Sequence, residues 1–281
     1  MDIIKNPAQL TKIVQALKCT KRTIGFVPTM GALHEGHATL IRRARAENDI
    51  VVASIFVNPK QFGPHEDFKK YPRPLRKDLA LCRNEKVDYV FHPSAETMYP
   101  RGSATSVNVE GLGDCLCAAS RPGHFRGVAT VVTKLFNIAQ PDTAYFGQKD
   151  AQQALIIRRM ASDLNIPVKI AVCPIAREAD GLAISSRNIY LSDRQRRDAP
   201  VIFAALQDAR VSIKQGERNP GTIITGIRRR IEKKEGARID YVAVVDADTL
   251  KPLEALKGRC LIAAAVWFGT TRLIDNCMVS I

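Results

Sequence analysis

Met30-Gly31-Ala32-Leu33-His34-Glu35-Gly36-His37-Ala38-Thr39 is the stretch on which the fold turns. Before it, Thr23–Val27 is a short apolar run that predicts a buried strand. After it, Leu40, Ile41 and Ala44 recur at helical spacing while Arg42, Arg43 and Arg45 fall on the other side, so a helix is expected over His37–Glu47. A glycine-bearing turn thus joins a strand to a helix start, and two histidines sit one turn apart at that start. The first N–H groups of a helix lack partners within it, and the positive end of its dipole points the same way. Both suit an anionic group such as a phosphate. The dipole also disfavours imidazolium, so the two rings are expected to be neutral donors able to follow charge as it develops. His-x-Gly-His in this setting points to nucleotide phosphates and to adenylyl or nucleotidyl transfer.

Plainer readings exist. A Gly-His pair can be a loop feature. Nearby histidines can bind zinc, but the metalloprotease pattern needs its histidines four apart. His34 and His37 are three apart, and His65, His92 and His124 fall at no ligand spacing. The seven cysteines are odd in number and scattered, and Cys115-x-Cys117 is closer than the usual zinc pair. They read as reduced thiols of a cytoplasmic protein. The opening MDIIKNPAQL lacks signal-peptide architecture. The most apolar stretch, Cys260–Phe268, is too short to span a bilayer and reads as a buried strand, so no membrane is expected.

Outward from the turn, short apolar runs alternate with amphipathic ones. Strands are expected at Thr23–Val27, Ile50–Val57, Tyr89–His92, Ala144–Phe146 and Val168–Val172. Helices are expected near His37–Glu47, Leu75–Asn84, Val128–Ala139 and Gln152–Leu164. This is an α/β pattern: a Rossmann-like parallel sheet covered on both faces, with ligands at the carboxyl ends of its strands. No G-x-G-x-x-G is present, which argues against a dinucleotide cofactor. The style changes after about Ile175. Helices near Asp193–Gln215 and Pro220–Lys234 precede strands at Ile239–Val245, Cys260–Phe268 and Arg272–Ile274. Ser192 with Gln195 makes a capping box and Asn219-Pro220 a helix start. A first domain over 1–175 and a smaller α+β domain over 176–281 are therefore expected, ample for 281 residues.

Further segments bear on chemistry. Asn58-Pro59-Lys60-Gln61-Phe62 ends a strand, and its amides can orient a small polar substrate or merely end the strand. In Gly147-Gln148-Lys149-Asp150-Ala151-Gln152-Gln153, Lys149 can reach a phosphate as a mobile point charge. Asp150 and Gln153 also have the spacing of a cap and its partner. Asp180–Asn188 places two hydroxyls before an arginine, either a triphosphate clamp or a Ser-rich turn. Its position at a domain boundary favours a ligand role. Arg121 and Arg126 either face an anion or are exposed. The hydrophobic share of 46% and charged share of 25% are ordinary, but the net charge of +14 is not. It suits anionic substrates or a nucleic-acid surface, and no zinc-finger or aromatic RNA-binding signature accompanies it.

Six blocks, in order, resemble the pantothenate synthetase family: Pro28–His37, Ser54–Phe62, Arg121–Gly127, Lys149–Gln153, Asp180–Asn188 and Arg272-Leu273-Ile274-Asp275-Asn276. The resemblance spans nearly the whole chain. It implies an ATP-dependent ligase, a cytoplasmic homodimer with a Rossmann-like domain, a smaller lid domain and a need for Mg²⁺. Pantoate would be joined to β-alanine through pantoyl adenylate, releasing pyrophosphate and then AMP. The lid would keep water from the adenylate. Met30, Gly31, Ala32, Leu33, His34, Glu35, Gly36 and His37 would hold ATP, with His34 and His37 on its phosphates. Lys149, Ser185, Ser186 and Arg187 would hold the phosphates from the other side, with His34, His37 and Lys149 catalytic. Gly147 and Asp150 would contact ribose beside Gln148, and Ala176 and Ile184 would lie in the nucleotide site, Ala176 near adenine. Gln61 and Gln153 would bind pantoate, Gln61 also β-alanine, and Arg121 would border the acid pocket. Asp78 is a weaker, indirect candidate for the magnesium surroundings. Gln148, Ala151, Ile184 and Pro74 depart from the usual family residues but remove no group the chemistry needs. Two other readings compete. A nucleotidyltransferase acting on a phosphate would call for more basic residues than the amide pair Gln61 and Gln153. A nucleic-acid-binding protein would leave the ordered motifs unexplained.

Overall fold

A computed structural model describes residues 1–64, 66, 68–117 and 121–281. His65 therefore lies outside the described residues. The chain divides into two compact units. The first comprises Met1–Asp114, Ala118–Gly147 and Gln153–Pro174, and the second Cys115–Cys117, Gln148–Gln152 and Ile175–Ile281.

The first unit is a six-stranded sheet with every pairing parallel. Its strands are β1 (Asp2–Ile4), β2 (Ile24–Thr29), β3 (Ile50–Ile55), β4 (Tyr89–Phe91), β5 (Thr143–Gly147) and β6 (Lys169–Cys173), in the order β1-β4-β3-β2-β5-β6. Side chains alternate across the sheet. Ile24, Phe26 and Val52 pack with Leu10 and Val14 of helix Pro7–Cys19 and with Val128, Val132, Leu135 and Phe136 of helix His124–Ala139. Val27, Val51 and Ala53 face the other way, onto Leu40, Ile41 and Ala44 of helix Glu35–Glu47 and Leu79 and Cys82 of helix Leu75–Asn84. Each Val, Leu, Ile or Phe among them contributes about 1.5–3 kcal/mol when fully buried. The strand order reverses between β2 and β5. In a sheet of this kind the crevice outside the carboxyl ends at that point is where ligands bind. The Met30–His37 turn follows β2, and Gly147 ends β5.

The second unit is a three-stranded antiparallel sheet, β7 (Ala237–Asp246), β8 (Arg259–Phe268) and β9 (Thr271–Ser280), in the order β7-β8-β9. Ile262, Ala264 and Val266 of β8 pack with Ile202, Leu206 and Ile213 of helix Val201–Lys214 and with Ile223, Ile227 and Ile231 of helix Pro220–Glu232. The expected Ser192–Gln195 capping box and Asn219-Pro220 helix start are both present. The helix expected over Asp193–Gln215 is instead two, Asp193–Asp198 and Val201–Lys214. Pro200 supplies no N–H and breaks the run.

Candidate active site

The end of β2 is tied to β3. Thr29 Oγ1 donates to the Ser54 carbonyl at 2.6 Å and accepts the Gly31 N–H at 3.1 Å. Beyond Met30, two residues are left-handed, with φ +82° at Gly31 and +50° at Ala32. Glycine adopts that conformation freely, but alanine does so only under steric strain. Asp78 of helix Leu75–Asn84 holds it there. Its Oδ2 accepts the Ala32 N–H at 3.0 Å and its Oδ1 the Leu33 N–H at 2.8 Å. Asp78 is 1% exposed. Burial raises its carboxyl above the usual range, against the two backbone N–H groups that pull it down.

Helix Glu35–Glu47 then begins, two residues earlier than expected, because His34 is itself the N-cap. Nδ1 of His34 accepts the Gly36 N–H at 3.1 Å, and Nδ1 of His37 accepts the His34 N–H at 3.3 Å. The two form a reciprocal capping box built from histidines, with ring centroids 4.1 Å apart. A ring nitrogen that accepts an N–H bond carries no proton. The hydrogen-bond network therefore assigns the neutral Nε2–H tautomer to both rings, and both Nε2 atoms are donors. Glu35 turns away to an ion pair with Arg42 at 2.6 Å.

Gln61 is brought to this turn. It is buried, its Nε2 donates to Met30 Sδ at 2.8 Å, and its Oε1 accepts Asn58 Nδ2 at 3.1 Å. Asn58 also donates to the Gly127 carbonyl at 3.1 Å and accepts the Tyr99 hydroxyl at 2.8 Å. Helix His124–Ala139 can approach this closely only because residue 127 is glycine. A Cβ there would lie 2.1 Å from the Lys60 carbonyl oxygen. Arg121 reaches the same neighbourhood, its Nη2 3.5 Å from the Gln61 carbonyl. Its guanidinium is engaged with Glu66, Nε to Oε1 at 2.9 Å. Arg126 is exposed and donates to Ser106 Oγ at 2.9 Å. Gln153 sits partly buried in the first turn of helix Ala151–Asp163.

The other candidates lie in the second unit. Gln148, Lys149 and Asp150 form one 3-10 turn. Lys149 is partly buried and lines a small cavity with Ser185 and Asp275. Burial lowers its ammonium from the usual lysine value and the Arg187 charge adds to that, while Asp150 and Asp275 oppose it. Ser185 caps the turn Ser186–Tyr190, its Oγ accepting the Arg187 N–H at 3.3 Å. The loop before it is closed by Ile184 N–H to the Ala176 carbonyl at 3.0 Å. It is stapled by Arg177, which pairs with Asp275 through two bonds of 2.6 and 2.9 Å and donates to the Gly181 carbonyl at 3.0 Å.

Sequence reasoning missed three working features. The capping role of the histidines was signalled by their i, i+3 spacing. Gln152, which accepts the Cys117 N–H at 3.1 Å and donates to the Cys115 carbonyl at 2.7 Å, and Arg177 had no local signal. Among the described residues no group of three or more His, Cys, Asp or Glu side chains could hold a metal ion, and no helix is long and apolar enough to cross a membrane.

Comparison with known proteins adds a second line. The family described as Pantoate-beta-alanine ligase matches residues 2–278. A pantothenate synthetase of Moorella thermoacetica is 56% identical over 281 residues, covering 100% of this chain and 99% of that protein. The crystal structure of pantothenate synthetase from Thermus thermophilus superimposes with a TM-score of 0.94 at 46% identity, with 100% of both chains covered. A pantoate-beta-alanine ligase from Francisella tularensis, complexed with Beta-gamma ATP and Beta-alanine, gives a TM-score of 0.79 at 36% identity over 99% of this chain and 97% of that one.

Proposed function

The chain belongs to the pantoate-β-alanine ligase family and is an ATP-using ligase that joins pantoate to β-alanine, and we propose the following division of labour among its residues. ATP lies against the Met30–His37 turn, with Gly147, Gln148 and Asp150 toward its ribose and Ala176 and Ile184 toward its base. His34 and His37 donate from Nε2 to phosphate oxygens. Lys149, Ser185, Ser186 and Arg187 supply the remaining cationic and hydroxyl donors. Gln61 and Gln153 hydrogen-bond pantoate, and Gln61 meets β-alanine in the second step. Arg121 borders the acid pocket as the partner of Glu66.

A carboxylate oxygen of pantoate attacks the α-phosphorus of ATP in line, and the bond to the bridging oxygen breaks as pyrophosphate leaves. Negative charge grows on the phosphoryl and leaving oxygens. Donors fixed beforehand stabilise that charge without reorganising. The free amine of β-alanine then attacks the pantoyl carbonyl carbon. AMP departs with the electrons of the broken C–O bond, and the nitrogen loses a proton to give the amide. The observation that carries this assignment is the paired acceptance at Nδ1 of His34 and His37, which leaves two neutral N–H donors at a helix start.

Mg²⁺ belongs to the proposal as the companion ion of ATP, where it would neutralise phosphate charge. It needs no protein cage in that role, and Asp78, whose two oxygens already accept backbone N–H groups, serves the turn. The division near 175/176, the lid role of the smaller domain, and a cytoplasmic homodimer belong to the same proposal. Seven scattered cysteines, an odd number with no disulfide framework in their spacing, support a reducing compartment. The charge of +14 serves attraction of ATP and pantoate.

Gln153→Ala tests the acid site. Pantoate affinity should fall while ATP affinity holds. If Gln153 only supports its helix, titration would show unchanged pantoate affinity and melting would lose about 0.5–2 kcal/mol.

A further inference from the structure

One motif on β9 has no part in the division of labour above: Asp275-Asn276 within Arg272–Asn276. Asn276 is 3% exposed in mid-strand, paired with Ala263 of β8. Its Nδ2 donates to the carbonyls of Gln148 and Lys149, both at 2.9 Å, and its Oδ1 accepts Gln148 Nε2 at 3.3 Å. A side-chain amide has two N–H donors and one carbonyl. Both donors and one bond to the carbonyl go to one two-residue stretch.

The carbonyls of Gln148 and Lys149 belong to the two peptide planes that flank the Lys149 Cα. Each plane is rigid, so fixing both fixes φ and ψ at Lys149 and the direction in which its side chain leaves the backbone. The turn is a single 3-10 turn of three residues and has little cooperative structure of its own. Asn276, by contrast, is anchored. Its strand pairs with β8 along its length, and Asp275 Oδ1 accepts the Asn276 N–H at 2.7 Å. The same carboxylate pairs with Arg177, which staples the loop leading to Ser185 and Arg187.

We propose that Asn276 is the positioning residue of Lys149, setting its backbone so that the ammonium is presented to the ATP phosphates in one direction. The inference rests on the phosphate role given to Lys149. Asp275 lines the same small cavity as Lys149, and its charge favours the ammonium form against the burial that disfavours it.

A double-mutant cycle tests it, with single-turnover formation of pantoyl adenylate as the readout. Asn276→Ala removes the amide. Asn276→Asp keeps its volume but offers no N–H to the two carbonyls. In the parent enzyme each should slow the step by about tenfold to a hundredfold, the scale of a reacting group displaced by about 1 Å. In a Lys149→Ala background the same changes should cost less than about twofold more, because the group they position is gone. An equal loss in both backgrounds, or no loss in the parent, overturns the proposal. So does failure of both variants to fold, which would make Asn276 a residue of sheet stability. A Lys149→Ala enzyme as fast as the parent would instead remove Lys149 from the reaction, a distinct result that takes the proposal down with it.

Discussion

His37 Nδ1 accepts the backbone N–H of His34 at 3.3 Å, so one imidazole is a helix cap through Nδ1 and a donor through Nε2. The two tasks separate on substitution. Glutamine is an ordinary partner at this capping position. His37→Ala should lose about 0.5–2 kcal/mol of stability and form adenylate roughly a hundredfold more slowly. His37→Gln should recover melting but not rate. Recovery of the rate as well would leave His37 as a cap alone.

Asp78 offers a similar separation. Asp78→Asn keeps one acceptor and turns an N–H toward the Ala32–Leu33 backbone donors. The turn should loosen, costing about 1–3 kcal/mol and raising KM for ATP more than KM for β-alanine. Added Mg²⁺ should not restore activity. Rescue by millimolar Mg²⁺ would make Asp78 part of the metal surroundings after all.

Burial disfavours the charged form of Lys149, against the nearby charges of Asp150 and Asp275. Its folded pKa lies below the unfolded value, so the cost of keeping it charged is fully present below the folded pKa and fades as pH rises through it. Lys149→Met should therefore melt higher than the parent at neutral pH, with the gain shrinking in alkaline solution, while adenylate formation falls by roughly a hundredfold. A lower melting temperature at neutral pH would show that Lys149 is a net stabilising partner instead.

The parallel sheet is legible in the sequence because its central strands are short apolar runs such as Ile24–Thr29 and Ile50–Ile55, with amphipathic helices between them. Departures have local causes. The strand expected over Arg272–Ile274 runs on to Ser280. Asp275 and Asn276 break the apolar pattern, yet both are 3% exposed and satisfied by Arg177 and the Gln148–Lys149 carbonyls, partners far away in sequence. β1 escapes notice because it is three residues long, with only Ile4 buried. Helix Pro7–Cys19 does carry a signal, Asn6 before Pro7, the same start as Asn219-Pro220. In the site, residue types and order are visible from sequence. The tautomers of His34 and His37, the pairing of Arg121 with Glu66 and the Asn276 contacts depend on folded geometry and are not.

Exchange of labelled pyrophosphate into ATP tests the central claim most directly, because it reports reversible formation of an acyl adenylate. With the purified protein, ATP and Mg²⁺, exchange should require pantoate and proceed without β-alanine. It should fall roughly a hundredfold in His37→Ala and in Lys149→Ala. Exchange that needs β-alanine, or that runs with a phosphorylated acceptor and not with pantoate, would contradict a pantoyl adenylate formed on these residues.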